Sequence, residues 1–394
     1  MPIAALGITI VVQCTGKHND VAPPFLPAPF FKTGARRFRR TFGPQVSPMA
    51  NSTPERVLIN GYGRIGRLCL RAILGTPEVE VVAINEIAAD IATSAYITEY
   101  DTHHGKFLPG KISHEGDTLD FDGRKIKFLQ IKAPADVPIA ALGITIVIEC
   151  TGKHNDVAKL QPFLDSGAKR VVVSAPVKAP GVPNIVLGVN EQTYQPSVHR
   201  ILTAASCTTN CIAPVIKLLH DKVGVKHGSI TTIHCLTNTQ SVLDAPWCAE
   251  KEPRRARGSV NNFYPTTTGS AKAVTEVIPE LTGKLNGHAV RVPLATSSLT
   301  DITLEMAREV TAEGINQLFR EAASAGPMQG ILGIEAKKLT AADYCNDARS
   351  TIVDEASTIV MGGTQVKVLA WYDNEWGYSC RLAELARMVA RMGA

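Results

Sequence analysis

The amino-acid sequence predicts an α/β protein of two domains: a doubly wound parallel sheet, followed by an α+β domain with a mostly antiparallel or mixed sheet. Three observations support this prediction. From residue 56, a short apolar strand leads through a glycine-rich turn into a helical pattern. Further apolar strands alternate with helical segments toward residue 205. A polar six-residue motif at 206–211 then begins another helix, and we place the start of the second domain there.

Length and composition favour a globular protein with room for two hydrophobic cores. The chain has 394 residues, of which 45% are hydrophobic. No run of eighteen apolar residues is present, so the sequence predicts no membrane-spanning helix. The nine cysteines lack a paired spacing, which argues against a disulfide framework and a zinc site and favours a reducing compartment. We therefore expect no metal.

The positive charge of the chain is confined to one segment. The formal net charge is +5, and residues 21–54 contain five basic and no acidic residues, so the remainder is balanced. A nucleic-acid-binding surface on the folded domains is therefore not indicated.

The first residues contain a copy of a later segment. Residues 2–22 recur at 138–158 with two differences, but only the second copy continues into a helix and a strand. The first copy runs into prolines and arginines. We expect residues 1–54 to lie outside the catalytic fold, as a targeting presequence, a duplicated exon or a gene-model error, with Met49 as a candidate start.

The glycine-rich turn predicts a dinucleotide site. Gly61, Gly63 and Gly66 follow the strand Arg56–Asn60 and precede a helix. In this context the first glycine allows the tight turn, the second lets a pyrophosphate approach, and the third lets helix and strand pack closely. The anion would rest on the N-terminus of the helix.

Polar residues end the neighbouring strands. The second predicted strand ends at Glu86, twenty residues after Gly66, which is the spacing of a carboxylate that binds the adenosine ribose. Such a carboxylate repels a 2′-phosphate and favours NAD over NADP; the alternative is a solvated glutamate. Two later strands end at Thr151 and Ser174, where a doubly wound sheet binds its ligand.

Cys207 is a candidate nucleophile because it lies where a helix begins. The motif Ser-Cys-Thr-Thr-Asn-Cys at 206–211 is followed directly by helix-forming residues. The unpaired N–H groups and partial positive charge of a helix N-terminus favour a thiolate, so we expect a lowered pKa for Cys207. The alternative is a buried structural cysteine. Ser206 and Thr208 could donate to an oxyanion or a phosphate.

His234 and several hydroxyl groups are candidates for the rest of the site. His234 lies on a predicted strand, 229–236, and would be the base for the cysteine, although a structural histidine is the alternative. Thr237, the Thr268–Gly269 turn and Arg291 could bind phosphate; a simple turn and a salt bridge are the alternatives.

These residues resemble phosphorylating glyceraldehyde-3-phosphate dehydrogenases from about Arg56 to the C-terminus. The motifs are NGYGRIGR, SCTTNC, TTIHCLTNTQ, TTTGSAK, AVRVP and WYDNEWGYS. The resemblance implies a Rossmann-type NAD-binding domain, 55–205, completed by a C-terminal helix, 377–394, and a catalytic domain, 206–376. It also implies a homotetramer in which the 241–264 loop packs near the cofactor of a neighbouring subunit.

The implied reaction is NAD-dependent oxidation of glyceraldehyde 3-phosphate to 1,3-bisphosphoglycerate through a cysteine thioester. By this resemblance Cys207 is the nucleophile and His234 the base. The substrate phosphate would be bound by Thr237 and Arg291, and the inorganic phosphate by Ser206, Thr208, Thr268 and Gly269. The dinucleotide would be contacted by Arg64, Ile65 and Glu86, and Asn374 would orient the nicotinamide, with Tyr378 nearby.

Two departures from the family pattern leave alternatives open. Glu86 stands where the family usually has aspartate, and the segment 247–253 looks about three residues longer than usual. An erythrose-4-phosphate dehydrogenase and an arsenate-linked glyceraldehyde-3-phosphate dehydrogenase are the enzymatic alternatives. A non-enzymatic binding protein is less favoured because nucleophile and base are both present. We expect a cytoplasmic enzyme, or an organellar one if residues 1–54 act as a transit peptide.

Overall fold

A computed structural model describes residues 53–246 and 252–393. The predictions for the repeat at 2–22 and for the longer segment at 247–251 lie outside these residues. Within the described ranges, no helix is both long and apolar enough to cross a lipid bilayer.

The described residues form two large sheets, a two-stranded pair and the helices that cover them. The strands are β1 Glu55–Asn60, β2 Val79–Asn85, β3 Tyr100–Asp101, β4 Gly105–Lys106, β5 Ile112–Glu115, β6 Thr118–Phe121, β7 Arg124–Leu129, β8 Ile146–Glu149, β9 Arg170–Val173, β10 Ile201–Thr203, β11 Val225–His234, β12 Tyr264–Thr267, β13 Leu285–Arg291, β14 Ser298–Met306, β15 Leu332–Glu335, β16 Thr351–Asp354, β17 Ile359–Met361 and β18 Gln365–Tyr372. The α-helices are α1 Arg64–Ile73, α2 Ile91–Glu99, α3 Val157–Asp165, α4 Cys207–Lys222, α5 Ser270–Val277, α6 Ala312–Ser324 and α7 Trp376–Met392.

The first sheet is doubly wound. Its strand order is β10-β9-β8-β1-β2-β7-β6-β5, and the strands from β10 to β7 are parallel. The order reverses between β1 and β8, because the chain first adds β2 on one side of β1 and later adds β8 on the other. A sheet of this kind binds its ligand at the carboxyl ends of the strands beside that reversal.

Helices cover both faces of this sheet because its strands are apolar on both sides. Ile59 and Ile148 face a core that includes α1 and α7, whereas Leu58 and Val147 face a core that includes Phe163 of α3. Successive residues of a strand point to opposite faces, so neither face can be left to water.

The second sheet is mixed and carries the cysteine helix on one face. Its order is β12-β13-β11-β14-β18-β16-β15, with β17 paired to β18. The β11–β13 and β15–β16 pairs are parallel, and the other pairs are antiparallel. Ile212, Ile216 and Leu219 of α4 pack in one core with Ile302 and Val368 of the sheet.

The last helix returns to the first sheet. Tyr378, Leu382 and Val389 of α7 lie in the same buried core as Ile59 and Leu70. Residues at the two ends of the described chain therefore share one hydrophobic core.

The predicted fold class is confirmed: a doubly wound sheet is followed by an α+β region with a mixed sheet. The predicted elements are close to the observed ones: β1 spans Glu55–Asn60 where Arg56–Asn60 was predicted, and Glu86 directly follows β2. The bounds of the strand predicted at 229–236 are wrong, because β11 spans Val225–His234 and Leu236 lies beyond it. The exact domain boundaries remain predictions.

Candidate functional site

A cavity of about 430 Å³ lies at the carboxyl ends of β1, β2 and β8, beside the reversal in strand order. Its lining is Asn60, Gly61, Gly63, Arg64, Ile65, Asn85, Glu86, Ile87, Ala88, Ile131, Lys132, Pro134, Cys150, Thr151, Lys153, His154 and Asn238. Most of the residues predicted to bind a dinucleotide are among them.

Each glycine of the turn meets a different steric demand. Gly61 has φ +89°, and a Cβ there would lie 2.6 Å from the backbone nitrogen of Thr151. A Cβ on Gly66 would lie 2.1 Å from the carbonyl oxygen of Gly61, so this glycine permits the close approach of α1 to the turn. A Cβ on Gly63 would meet no protein atom within 4 Å and would instead project into open space. The cavity therefore has room at Gly63 for a ligand to approach the backbone.

The N-terminus of α1 is not capped by a side chain. Gly63 is its N-cap residue and has no side chain that could accept a hydrogen bond. Gly63, Arg64 and Ile65 all line the cavity. The N–H groups of the first helical turn are consequently available to a phosphate group, which the helix dipole also favours.

Glu86 is held rigidly at the rim of the cavity. Its carboxylate accepts one hydrogen bond from the N–H of Tyr62 at 2.8 Å and one from the N–H of Ala88 at 2.7 Å. Each carboxylate oxygen keeps further lone pairs for a ribose hydroxyl. The position and the chemistry fit the role predicted for Glu86.

Arg64 lines the cavity, as expected of a dinucleotide contact, and its side chain also forms ion pairs. Its guanidinium donates from Nε to Glu375 Oε1 at 2.9 Å and from Nη1 to Asp101 Oδ2 at 2.5 Å. With these carboxylates as partners, the guanidinium links α1 to the start of α7. The backbone N–H of Arg64, in the first turn of α1, remains available to a cofactor.

A hydrogen-bond network joins the strand ends beneath the cavity. The buried carboxylate of Glu149 accepts from Asn60 Nδ2 at 2.5 Å and from the N–H of Thr151 at 2.7 Å. Asn60 in turn accepts from Asn85 Nδ2 at 2.7 Å. The predicted residue Thr151 is therefore fixed in the cavity wall, whereas Ser174, at the end of β9, is not among the lining residues.

Cys207 and His234 face each other. Cys207 is the first residue of α4, and the side chain of Ser206 caps the helix by accepting from the N–H of Thr209 at 3.0 Å. The Sγ of Cys207 lies 3.6 Å from Nε2 of His234, the last residue of β11. Ala205, just before the cap, has φ +54°, a left-handed conformation that turns the chain sharply into the helix.

The electrostatics correct one expectation from the sequence. Burial raises the pKa of Cys207, and the nearby Arg291 opposes this shift without reversing it. Burial and, secondly, Arg291 lower the pKa of His234 to about 3. The prediction that the helix N-terminus lowers the pKa of the cysteine is wrong for the ligand-free chain, because desolvation of the thiolate outweighs the favourable charges. The pair is therefore a neutral thiol beside a neutral imidazole.

The other nitrogen of His234 has two hydrogen-bond partners of opposite kind. Nδ1 lies 2.8 Å from the carbonyl oxygen of Cys235, to which it can donate, and 2.9 Å from Nη1 of Arg291, from which it can accept. In the tautomer with its hydrogen on Nδ1, Nε2 is free to take a proton from Cys207. Arg291 Nη1 also donates to the Cys235 carbonyl, at 3.0 Å.

A cluster of hydroxyl groups lies beside the cysteine. Ser270 Oγ is 3.4 Å from Ser206 Oγ and 3.1 Å from Thr268 Oγ1. Ser206, Ser270 and Gly269 also line a cavity of about 610 Å³. The predicted residues Ser206, Thr268 and Gly269 thus come together around Ser270, but Thr208 does not join them, because its hydroxyl is buried and hydrogen-bonded to Tyr372 Oη at 2.9 Å.

The remaining predicted residues occupy separate positions. Thr237 Oγ1 is 2.9 Å from Thr239 Oγ1 on the loop that follows β11. Tyr378 is buried and donates to the carbonyl oxygen of Ala205 at 3.0 Å, so it supports the turn before the cysteine helix. Asn374 is also buried, just after β18.

Sequence reasoning missed four residues that shape the site. The ring of Tyr372 contacts His234 edge-on, with centroids 6.2 Å apart. Arg255 donates to Thr266 at 3.3 Å and, through its charge, contributes to the lowered pKa of Arg291. Ser270 bridges the hydroxyl cluster, and Cys235 lies between His234 and Asn374. Only the adjacency of Cys235 to His234 was visible in the sequence.

The described residues fit NAD. Gly63 leaves open space beside an uncapped helix, and Glu86 holds a carboxylate at the same cavity. Phosphate groups and a ribose diol are the chemical groups that these features bind.

A dinucleotide cleft in a chain that also holds a facing cysteine–histidine pair is typical of an oxidoreductase that uses NAD. The family model described as the NAD binding domain of glyceraldehyde 3-phosphate dehydrogenase matches residues 55–157, and the model of the C-terminal domain matches residues 206–374. The chain belongs to the glyceraldehyde-3-phosphate dehydrogenase family.

Relatives in three bacteria support this assignment over most of their length. Glyceraldehyde-3-phosphate dehydrogenase 3 of Nostoc sp. is 50% identical over 335 residues, which cover 85% of this chain and 98% of the relative. Glyceraldehyde-3-phosphate dehydrogenase 1 of Bacillus subtilis is 46% identical over 86% of this chain and 99% of the relative. The enzyme of Geobacillus stearothermophilus is 43% identical over the same shares.

Proposed function

We propose that this chain oxidises glyceraldehyde 3-phosphate to 1,3-bisphosphoglycerate, with inorganic phosphate as the second substrate and a thioester on Cys207 as the intermediate. The observation that carries the proposal is the facing pair of Cys207 Sγ and His234 Nε2, 3.6 Å apart, beside Arg291 and a hydroxyl cluster.

The first step is addition of the cysteine to the aldehyde. As the Sγ–carbon bond forms, the thiol proton of Cys207 passes to Nε2 of His234, and the resulting imidazolium donates to the oxygen that was the carbonyl. Because the pKa of His234 is lowered to about 3, its protonated form needs a compensating anion nearby. The substrate phosphate can supply it by pairing with Arg291, which otherwise contributes to this lowering.

The second step converts the adduct to a thioester. NAD, when bound, would supply the acceptor for the hydride, and so for the two electrons, that leave the adduct carbon. Nε2 of His234 holds the proton that leaves the oxygen as the carbonyl re-forms. The side chain of Cys207, packed against both hydrophobic cores, keeps the thioester away from bulk water.

The third step transfers the acyl group to phosphate. An oxygen of inorganic phosphate attacks the thioester carbon, the carbon–sulfur bond breaks, and the sulfur of Cys207 recovers a proton from His234. The hydroxyls of Ser206, Thr268 and Ser270 support this step, because they converge next to Cys207 and can donate to an oxyanion.

The experiment is to follow reduction of NAD at 340 nm with glyceraldehyde 3-phosphate and phosphate. Erythrose 4-phosphate in place of the triose and arsenate in place of phosphate test the two enzymatic alternatives. We expect activity that requires the triose and an oxyanion. Turnover of erythrose 4-phosphate with greater efficiency than the triose would overturn the proposed substrate.

We also propose a homotetramer whose interface includes the 241–264 loop. Leu243 and Phe263 of this loop are 75% and 70% exposed in the single chain, and Val242 and Val260 are also exposed. An apolar surface of this kind favours association. Light scattering of the wild type should give the mass of four chains. Phe263→Glu should reduce that mass, whereas the control Val198→Glu, at an exposed residue outside the loop, should not. A monomeric wild type would overturn the proposal.

We further propose that the enzyme works in the cytoplasm and that its domains are 55–205 with 377–394, and 206–376. All the cysteines in the described residues are free thiols, which supports a reducing compartment.

A further inference from the structure

Cys235 lies between the catalytic base and the residue assigned to the nicotinamide. Its carbonyl oxygen is bonded to His234 Nδ1, while its Sγ lies 3.0 Å from Asn374 Oδ1. Cys235 follows β11, Ser298 begins β14 and Asn374 follows β18, and these three strands are neighbours in the second sheet. The sheet thus brings three polar side chains together from distant parts of the chain.

The hydrogen bonds among them have one consistent direction. Ser298 Oγ accepts from the N–H of Cys235 at 3.2 Å, so its own hydrogen is free to be donated. It points to Asn374 Oδ1, 3.4 Å away, and no other acceptor for it is found within the described residues. The thiol of Cys235 can donate to the same oxygen at 3.0 Å, which is nearer than its other acceptor, the carbonyl oxygen of Leu236 at 3.4 Å. Two donors therefore converge on Oδ1 of Asn374.

Because Oδ1 of Asn374 accepts both hydrogen bonds, Nδ2 is the end of the amide that has no partner in the part of the chain that the structure describes. Asn374 is 5% exposed, and its Nδ2 donates to no acceptor within the described residues. Nδ2 is not among the fully buried side-chain atoms that lack a partner, so it remains accessible to an acceptor on a ligand. The reverse orientation of the amide would leave the Ser298 hydroxyl without an acceptor.

Cys235 is suited to this role because it remains a thiol. It is completely buried, and burial raises its pKa to about 12. Its S–H hydrogen is thus present throughout the working range of the enzyme.

We propose that Cys235 and Ser298 are positioning residues that fix the Asn374 amide with Nδ2 toward the cofactor, so that the chain binds the carbonyl oxygen of the nicotinamide and not its amino group. This inference rests on the proposed function, in which Asn374 orients the nicotinamide. It adds the specificity of that contact and the two residues that determine it.

The test compares NAD with its 3-acetylpyridine analogue, in which a methyl group replaces the amino group and the carbonyl oxygen is kept. Dissociation constants are measured by calorimetry for the wild type, Cys235→Ala, Ser298→Ala and the double Ala variant. The wild type should bind the two dinucleotides with similar affinity. In the double variant the amide can turn and accept from the amino group of NAD, which the analogue lacks, so the ratio of the two dissociation constants should change about fivefold in favour of NAD.

Cys235→Ser is the matched control, because a hydroxyl can donate to Oδ1 as the thiol does. It should keep the wild-type ratio, whereas a purely structural role would let it fall with Cys235→Ala. Thermal unfolding of each variant shows whether the fold is kept, and the single variants remain informative if the double variant does not fold.

The outcomes separate the two levels of inference. An unchanged ratio in the Ala variants, or a Cys235→Ser variant that behaves like Cys235→Ala, overturns the positioning role and leaves the proposed function intact. Asn374→Ala should weaken binding of both dinucleotides; equal binding would overturn the assignment of Asn374 and this inference with it. A wild type that does not bind NAD would overturn the proposed function itself.

Discussion

At the scale of the residue, one helical turn separates a reactive cysteine from an inert one. Cys211 is completely buried in α4, and its Sγ lies 3.0 Å from Thr300 Oγ1. Burial raises the pKa of Cys211 to about 12. Cys207 instead begins the helix and faces His234.

We therefore expect Cys207→Ser to lose nearly all dehydrogenase activity, a fall of at least about a thousandfold in kcat, while NAD still binds. Cys211→Ser should keep most of the activity because its side chain only packs. Steady-state kinetics with a parallel calorimetric titration of NAD decide the matter. Substantial activity in Cys207→Ser would mean that another group is the nucleophile.

Arg291 controls the reactivity of the same thiol. Its charge opposes the burial that raises the pKa of Cys207, so Arg291→Gln should raise that pKa further. The thiolate fraction at neutral pH should fall about tenfold for each unit of the rise. The pKa of Cys207 is measured from the pH dependence of its alkylation by iodoacetamide, and mass spectrometry confirms that Cys207 is the residue modified. Alkylation that shifts to lower pH in the variant would contradict this account.

Glu86 should decide cofactor choice. Its fixed carboxylate places a negative charge at the cavity, so the wild type should use NAD far more efficiently than NADP. Glu86→Gln removes the charge but keeps a hydrogen-bond acceptor. It should therefore reduce the preference for NAD, measured as kcat/KM with NAD divided by kcat/KM with NADP, roughly tenfold. Glu86→Ala should do the same and also lose stability, because the N–H of Tyr62 loses its partner. Equal use of NADP by the wild type would show that Glu86 does not face the adenosine ribose.

At the scale of the element, the glycine turn separates a packing requirement from a binding requirement. A Cβ on Gly66 would clash with the backbone of Gly61, whereas a Cβ on Gly63 would meet open space. Gly66→Ala should therefore lower the free energy of unfolding by at least about 2 kcal/mol, because the backbone must move.

Gly63→Ala is the matched variant and should keep nearly wild-type stability while weakening NAD binding. Denaturant titrations and dissociation constants for both variants provide the comparison. The separation of the two roles would be refuted if Gly63→Ala unfolded as readily as Gly66→Ala.

The elements that the sequence predicted are those whose signals are local. β2 and α1 are marked by continuous apolar or helical patterns flanked by turns, and the helix start at Cys207 is marked by the serine that caps it. The end of β11 could not be placed, because Leu236 continues the apolar pattern although pairing with β14 stops at Ile233.

The missing parts of the site depend on contacts between distant residues. The Thr208–Tyr372 hydrogen bond joins residues 164 positions apart, so the sequence could propose Thr208 for phosphate but not show that its hydroxyl is already engaged. The raised pKa of Cys207 has the same origin, because the helix start is visible in the sequence and the burial around the thiol is not.

At the scale of the whole molecule, the described residues begin at 53, and a complete pair of sheets follows from there. β8 already contains Ile146–Glu149, the strand within the second copy of the repeated segment, and it pairs with β1 on one side and β9 on the other. The position between β1 and β9 is therefore occupied by the second copy.

We therefore expect the protein that starts at Met49 to fold, bind NAD and match the full-length chain in kcat and in oligomeric state. Expression of both forms, followed by light scattering and steady-state kinetics, tests this. Failure of the shorter protein to fold or to bind NAD would show that the first 48 residues are structural.

The position of α7 has a consequence for synthesis on the ribosome. The core around Ile59 and Leu70 is covered by Leu382 and Val389, which are translated long after them. The nucleotide-binding region therefore keeps apolar surface uncovered until the ribosome has made α7. A nascent chain that stalls before residue 376 would expose this surface to chaperones and proteases.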